Sequence, residues 1–226
     1  MEASTIIVSI NVKDIDIKSD LHKLIDKLKD LEIDILAFKG LDKHIHDTLN
    51  IIQKNCIIND MKWAIYYNET LRDLKLEQYN FSTIIVEEQY VNINFINRYI
   101  EKELIITLNL DEISNKKLIL LKDSNVEFSL MIGNIKNQKI CLDARLLKKL
   151  KKQISGIDNG TIGFSNKQSN FLSSVIAASL GASVIEKEFN LYGSINKVNA
   201  CFIKEFNQLK KMVKYLKIIP KVLPDN

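Results

Sequence analysis

Glycine, proline, histidine and cysteine are all scarce in this sequence, numbering 7, 2, 3 and 3 among 226 residues. Each scarcity excludes something. So few glycines leave little room for a phosphate-cradling loop, and neither the P-loop pattern nor a GxGxxG turn is present. Three histidines limit metal and general-base chemistry. His44 and His46 stand two apart in a predicted helix and so point in different directions, and His22 falls on the polar flank of another. Cys56, Cys141 and Cys201 lie far apart with no CxxC pair, which argues against a disulfide framework or a zinc cluster. No apolar run approaches the ~20 residues of a membrane span. The first residues also lack the basic start and apolar stretch of a signal peptide. The expectation is a soluble, cytoplasmic protein with no membrane partner.

Charge of one sign is also lacking. Charged residues make up 27% of the chain, yet the net charge is only +4, with lysines dispersed among acidic residues. The one dense basic run, 145–152, has no interleaved aromatic residue and is expected to be the solvated face of a helix. No nucleic-acid partner is expected.

What the sequence does have is alternation. Apolar residues make up 46% of the chain and gather in short β-branched runs separated by stretches with helical spacing. Strands are predicted at 6–12, 33–38, 62–67, 82–86, 103–108, 127–132, 161–165 and 183–187. Between them, Leu21, Leu24, Ile25, Leu28 and Leu31 fall on one helical stripe that Ser19 or Asp20 could cap. A second helix is predicted from near Asp42, with further helical segments at 71–76, 91–100, 113–121, 143–154, 169–180 and 204–216. The strands are nearly continuous in apolar residues, as strands covered on both faces should be. Eight β-α units in one domain, residues 1–226, give an α/β fold. A compact (β/α)8 TIM barrel is the expectation, and a doubly wound sheet would leave a similar pattern.

The stretch 160–192 reads GTIGFSNKQSNFLSSVIAASLGASVIEKEFNLY. It resembles the end of the barrel in the sialic-acid (N-acetylneuraminate) synthase family, whose pattern runs G-Y-S-D-H, a helix, then A-x-x-x-G-A-x-x-I-E-K-H-F. The likeness rests on Gly163–Ser165, the small-residue run Ala177–Ala182, Ile185–Lys187 and Phe189. It extends more loosely to 6–38, 82–113 and 128–137. The resemblance implies a (β/α)8 barrel that condenses phosphoenolpyruvate with an N-acetylated amino sugar to give a nonulosonic acid. It also implies a divalent cation, manganese or magnesium. The sequence ends at Asn226, and the expectation is a barrel without the family's C-terminal antifreeze-like domain.

The same resemblance locates site residues and shows departures. Lys167 and Glu188 stand where the family's two metal-binding histidines would be; a lysine ammonium has no lone pair to offer. A salt bridge between Lys167 and Glu188 is expected instead, with no metal and no cofactor. Ser9 stands in place of a first-strand glutamate, Ala37 and Thr83 in place of lysines, and Val86 in place of a serine. Lys39 keeps the orientation of Ala37 but lies about 6–7 Å further along the strand. Glu88, beside Glu87, aligns with a fourth-strand glutamate and is the candidate catalytic residue. Lys39, Thr107, Asn134, Lys136 and Ser165 are candidates for an anion cradle.

Three functions are therefore open. The first is a non-catalytic relative linked to nonulosonate or carbohydrate biosynthesis, binding a phosphorylated or acidic sugar, as a homodimer or paired with an active homologue. The second is an active, metal-poor synthase whose site has moved to Glu88, Lys39 and Lys136. The third is a structural or interaction barrel.

Overall fold

The computed structural model describes residues 3–42, 45–108, 113–133, 142–168, 170–189 and 200–222. Eight strands appear in it: β1 (Thr5–Asn11), β2 (Ile35–Lys39), β3 (Lys62–Tyr66), β4 (Thr83–Glu87), β5 (Glu103–Leu108), β6 (Phe128–Gly133), β7 (Gly160–Asn166) and β8 (Val184–Glu188). They pair in sequence order, all parallel, and β8 closes onto β1. Ile7 of β1 is thus in register with Ile35 on one side and Glu186 on the other. The closed barrel is what the eight apolar runs predict, and the doubly wound alternative falls away.

Seven helices surround the described barrel: α1 (Leu21–Lys29), α2 (His46–Ile58), α3 (Ile93–Arg98), α4 (Asn115–Asp123), α5 (Ala144–Gln153), α6 (Leu172–Ser179) and α7 (Ala200–Val222). Each turns an apolar stripe inward. In α1 the buried residues are Leu21, Leu24, Ile25 and Leu28, the expected stripe; Asp20 holds the N-cap position, but its side chain makes no capping bond to the helix. In α5 Leu147 and Leu150 are buried while Lys148, Lys149, Lys151 and Lys152 are exposed. The Asp143 carboxylate accepts from the Arg145 backbone N–H at 2.9 Å and starts that helix. The basic run is the solvated face expected of it. Gly181, at φ +95°, ends α6: its N–H and that of Ala182 bond back to Ala178 and Ala177, so the chain turns at once into β8.

Three helix expectations need correction. Residues 71–76 carry helical spacing but fold as two short 3-10 turns, Glu69–Leu71 and Leu76–Gln78. The Arg98 guanidinium holds this stretch by donating to the carbonyls of Arg72 and Leu74 and pairing with Glu77, taking up carbonyls away from a helical pattern. The second helix begins at His46 rather than near Asp42. The last helix passes residue 216 to Val222: Ile219 is still buried against the barrel, and Pro220, which cannot donate a backbone bond to the turn before it, stands two residues before the end.

Strand alternation divides the core in two. Residues such as Val8, Phe38, Trp63, Ile84, Leu130 and Phe164 face outward under the helices. Trp63 is edge-on to Phe38 and Phe81 at 6.3 and 5.8 Å, a core residue as expected. Ile7, Ile35, Ala37, Ala64, Ile85, Ile105, Met131 and Val184 fill the barrel axis. No described helix is long and apolar enough to cross a membrane.

Candidate functional site

Above this apolar plug the inward positions turn polar. On the C-terminal half of the strands, Ser9, Lys39, Tyr66, Ser165, Glu186 and Glu188 share the parity of the axis-facing residues. In a parallel barrel this end carries the chemistry.

Lys39, the last residue of β2, extends across the mouth to β8. Its ammonium lies 2.9 Å from Glu186 Oε1 and 3.2 Å from Glu188 Oε2. The same ammonium sits 4.4 Å from the centre of the Tyr66 ring, a cation–π contact. The Tyr66 hydroxyl donates to Glu186 Oε1. Gly40, at φ +74°, allows the chain to leave β2 immediately after Lys39; a Cβ there would stand 2.3 Å from Asn11 Oδ1.

Burial governs the titration of this group, and the charges then decide its direction. Glu186 is wholly buried, which by itself would raise its pKa. The Lys39 ammonium and the nearby Ser165, Ser9 and Tyr66 hydroxyls outweigh burial and hold the carboxyl down at about 2. Lys39 is likewise desolvated, yet Glu186 and Glu188 keep its pKa above the ordinary lysine value. Burial, followed by the Glu186 charge, pushes the Tyr66 phenol well up, so it remains a donor. Two polar atoms stay without a well-aligned partner: Ser9 Oγ and Glu186 Oε2, both inaccessible to water. The hydroxyls are near enough to affect Glu186 electrostatically, but Ser9 completes no hydrogen bond of good geometry.

The predicted site residues separate on this frame. Lys39, Ser165 and Glu188 are at the mouth, Ser165 in register with Glu186. Thr107 is half-buried at the end of β5, and its hydroxyl donates to the Val86 carbonyl at 3.3 Å. Glu88 lies beyond β4 in a 3-10 turn and pairs with Lys117 of α4 at 3.4 Å, away from the Lys39 cluster. Glu87 has the inward parity on that strand, in register with Thr107. Asn134, Lys136 and His44 lie outside the described residues. His46 is exposed, with Nδ1 2.7 Å from the Tyr79 hydroxyl.

The expected Lys167–Glu188 bridge is corrected by the geometry. Among the described residues Glu188 pairs with Lys39, whereas Lys167 is exposed beyond β7. Lys39 replaces Lys167 because its strand neighbours β1, which in turn neighbours β8, and its side chain faces the axis. Sequence reasoning missed Glu186 and Tyr66 as site residues. Glu186 was legible by parity, since it stands two before Glu188 on the same strand face.

The described donor set does not suit a divalent cation. Lys167 cannot ligate, the Glu188 carboxylate is engaged by Lys39, and no group of three His, Cys, Asp or Glu converges among the described residues.

Comparison with known proteins follows the same end of the barrel. Residues 107–226, more than half of the chain and including β7 and β8, match the model of the NeuB family. The chain belongs to the NeuB family. No curated protein matches its sequence. Among solved structures, N-acetylneuraminic acid (sialic acid) synthetase of Leptospira borgpetersenii serovar Hardjo-bovis superposes with a TM-score of 0.73 at 15% identity, covering 100% of this chain and 86% of that one. The spore coat polysaccharide biosynthesis protein spsE of Bacillus subtilis gives 0.69 at 15% identity, covering 98% and 69%. Phospho-2-dehydro-3-deoxyheptonate aldolase of Thermotoga maritima gives 0.68 at 14% identity, covering 98% and 70%. At such identities the likeness is one of fold. This NeuB-family barrel has a sialic-acid-synthase-type architecture, with an internally paired lysine at its mouth.

Proposed function

We propose that this chain is a NeuB-family barrel of nonulosonate or related carbohydrate biosynthesis that does not itself condense phosphoenolpyruvate with an N-acetylated amino sugar. One observation carries the reading: the Lys39 ammonium is held by both Glu186 and Glu188. A cation paired this way is a poor holder of phosphate, and its carboxylate partners are poor ligands for a metal. Condensation places negative charge at the reacting centre, and cations in position there lower the barrier. Here the positioned cation is already neutralised within the site. Glu88, the other candidate, is engaged by Lys117 on the helix side.

Incubation with phosphoenolpyruvate, manganese and N-acetylmannosamine tests this directly. Phosphate release at the protein-free rate is the expected result. Release well above it would overturn the reading and favour a synthase working through Lys39 and the stretch that holds Lys136. The family link to carbohydrate is tested separately by thermal shift: a sugar that raises the melting temperature counts against a purely structural barrel.

A further inference from the structure

Tyr66 ends β3 facing the barrel axis, and Tyr67, the next residue, turns to the outer side among the core residues under the helices. Strand alternation carries over because the Tyr67 N–H still donates to the Ile85 carbonyl, at 2.7 Å. The Tyr67 ring is held edge-on by Phe95 at 4.9 Å and by Tyr90 at 5.8 Å. These three rings line an open cleft of about 290 Å³ on the outside of the barrel, between the turn Glu69–Leu71 and α3.

The donors around these rings are unevenly used. Arg98 is fully engaged by the carbonyls of Arg72 and Leu74 and by Glu77. Arg72, on the same cleft, has no carboxylate within ion-pair distance among the described residues. Tyr67 is only 8% exposed, yet its hydroxyl has no hydrogen-bond partner among the described residues. Unlike the Tyr99 hydroxyl, it is not closed off from solvent. Burial raises its pKa, against the nearby Arg98 and Arg72 charges, so the phenol stays a proton donor. Buried hydroxyls are ordinarily satisfied, and a guanidinium free of carboxylates in a concave, ring-walled site suits one from outside. Glu69, on the same turn as Arg72, adds an acceptor, and the exposed Asn94 amide makes no side-chain hydrogen bond among the described residues.

We infer that this outer cleft is a ligand site of its own, taking a small hydroxylated ring that carries one carboxylate. The carboxylate meets Arg72 and the Tyr67 hydroxyl, the ring lies along Tyr90 and Phe95, and ring hydroxyls meet Asn94 and Glu69. The cleft is separate from the mouth: β3 stands between them, and neither Lys39 nor Glu186 lines it. The inference therefore holds whether or not the barrel condenses phosphoenolpyruvate.

Calorimetric titration of the full chain with para-hydroxybenzoate and with glucuronate tests it, beside their carboxyl-free counterparts para-hydroxybenzyl alcohol and glucose. At least one acid should bind, about ten-fold or more tightly than its neutral counterpart. The tighter acid tells a flat aromatic ring from a pyranose. Arg72→Gln should weaken that acid by about ten-fold. Tyr67→Phe is the sharper variant, because it removes a hydroxyl that bonds nothing in the free protein. It should leave the melting temperature unchanged or raised while weakening the acid by about ten-fold. A hydroxyl that served the fold alone would give the opposite pattern, a lower melting temperature with binding intact. No binding of either acid, binding no tighter than that of the neutral counterpart, or an affinity that survives Arg72→Gln and Tyr67→Phe would each overturn the inference. Phosphate release in the condensation assay would remove the proposed function and leave this site standing.

Discussion

Glu186 and Lys187 are consecutive residues of β8, both wholly buried, and their charges lie in separate compartments. Glu186 meets Lys39 on the barrel axis, while Lys187 meets Glu205 of α7 at 3.6 Å on the outer face. Strand alternation makes this possible: neighbouring side chains leave the sheet on opposite sides. One pair therefore belongs to the candidate site and the other to the packing of the last helix.

The Lys39–Glu186 pair should be strongly coupled. Lys39→Met leaves a wholly buried carboxylate without its counter-charge, at a cost of about 3–5 kcal/mol in urea unfolding. Glu186→Gln in the same chain should recover much of that loss. A double-mutant cycle giving additive effects would show that the two charges do not interact.

Acid should release the same pair. The Glu186 carboxyl is held at about 2 against an ordinary 4.5, so its stabilisation is complete above about pH 4.5 and is lost as the pH falls toward 2. The difference in unfolding free energy between the parent and Glu186→Gln should be constant from neutrality down to about pH 4.5 and shrink below it. Lys39, raised in pKa, contributes fully below the ordinary lysine value of 10.5 and loses its contribution above it. A difference independent of pH in acid would contradict the depressed carboxyl.

The outer pair should behave as a packing element. Burial lowers the Lys187 pKa, and Glu205 opposes that only in part. Glu205→Leu alone should destabilise by about 3–5 kcal/mol, whereas Lys187→Met with Glu205→Leu should return to within about 1 kcal/mol of the parent or exceed it. Thermal unfolding of the three variants measures this, and phosphate release or ligand binding at the mouth should not change in the double variant.

Gly40→Ala should destabilise by about 1–3 kcal/mol, through the positive φ and the contact of its Cβ with Asn11 Oδ1. Asn11→Ala removes the contact together with the Asn11 Oδ1 bond to the Lys13 N–H, so the double variant measured against Asn11→Ala alone should show only the backbone strain, about 1 kcal/mol. Melting curves of the single and double variants separate the two causes. A double variant as stable as Asn11→Ala alone would mean the backbone is not strained.

Much of this was readable before any coordinates. All eight strands were marked by β-branched runs, and the basic face of α5 by the spacing of Leu147 and Leu150. The two turns at 69–78 were not, because Arg98, twenty residues later, determines them. Of the site, Lys39, Ser165 and Glu188 followed from the resemblance. Tyr66 looked like one more apolar strand residue, and nothing local marks its hydroxyl as a partner of Glu186, 120 positions away.

By itself the sequence determined that the chain alternates buried strands with amphipathic helices, that eight such units occur, and that the last two carry a NeuB-like signature. Those properties are local, fixed by side-chain period and by turn residues such as Gly181. Which lysine neutralises Glu188 was decided only by the closed barrel. Lys167 is the nearer in sequence, but β8 closes onto β1, and that seam, with Lys39 reaching in from β2, brings its ammonium between Glu186 and Glu188. A pairing across 149 positions depends on ring closure and on strand parity, and neither is a property of any one segment.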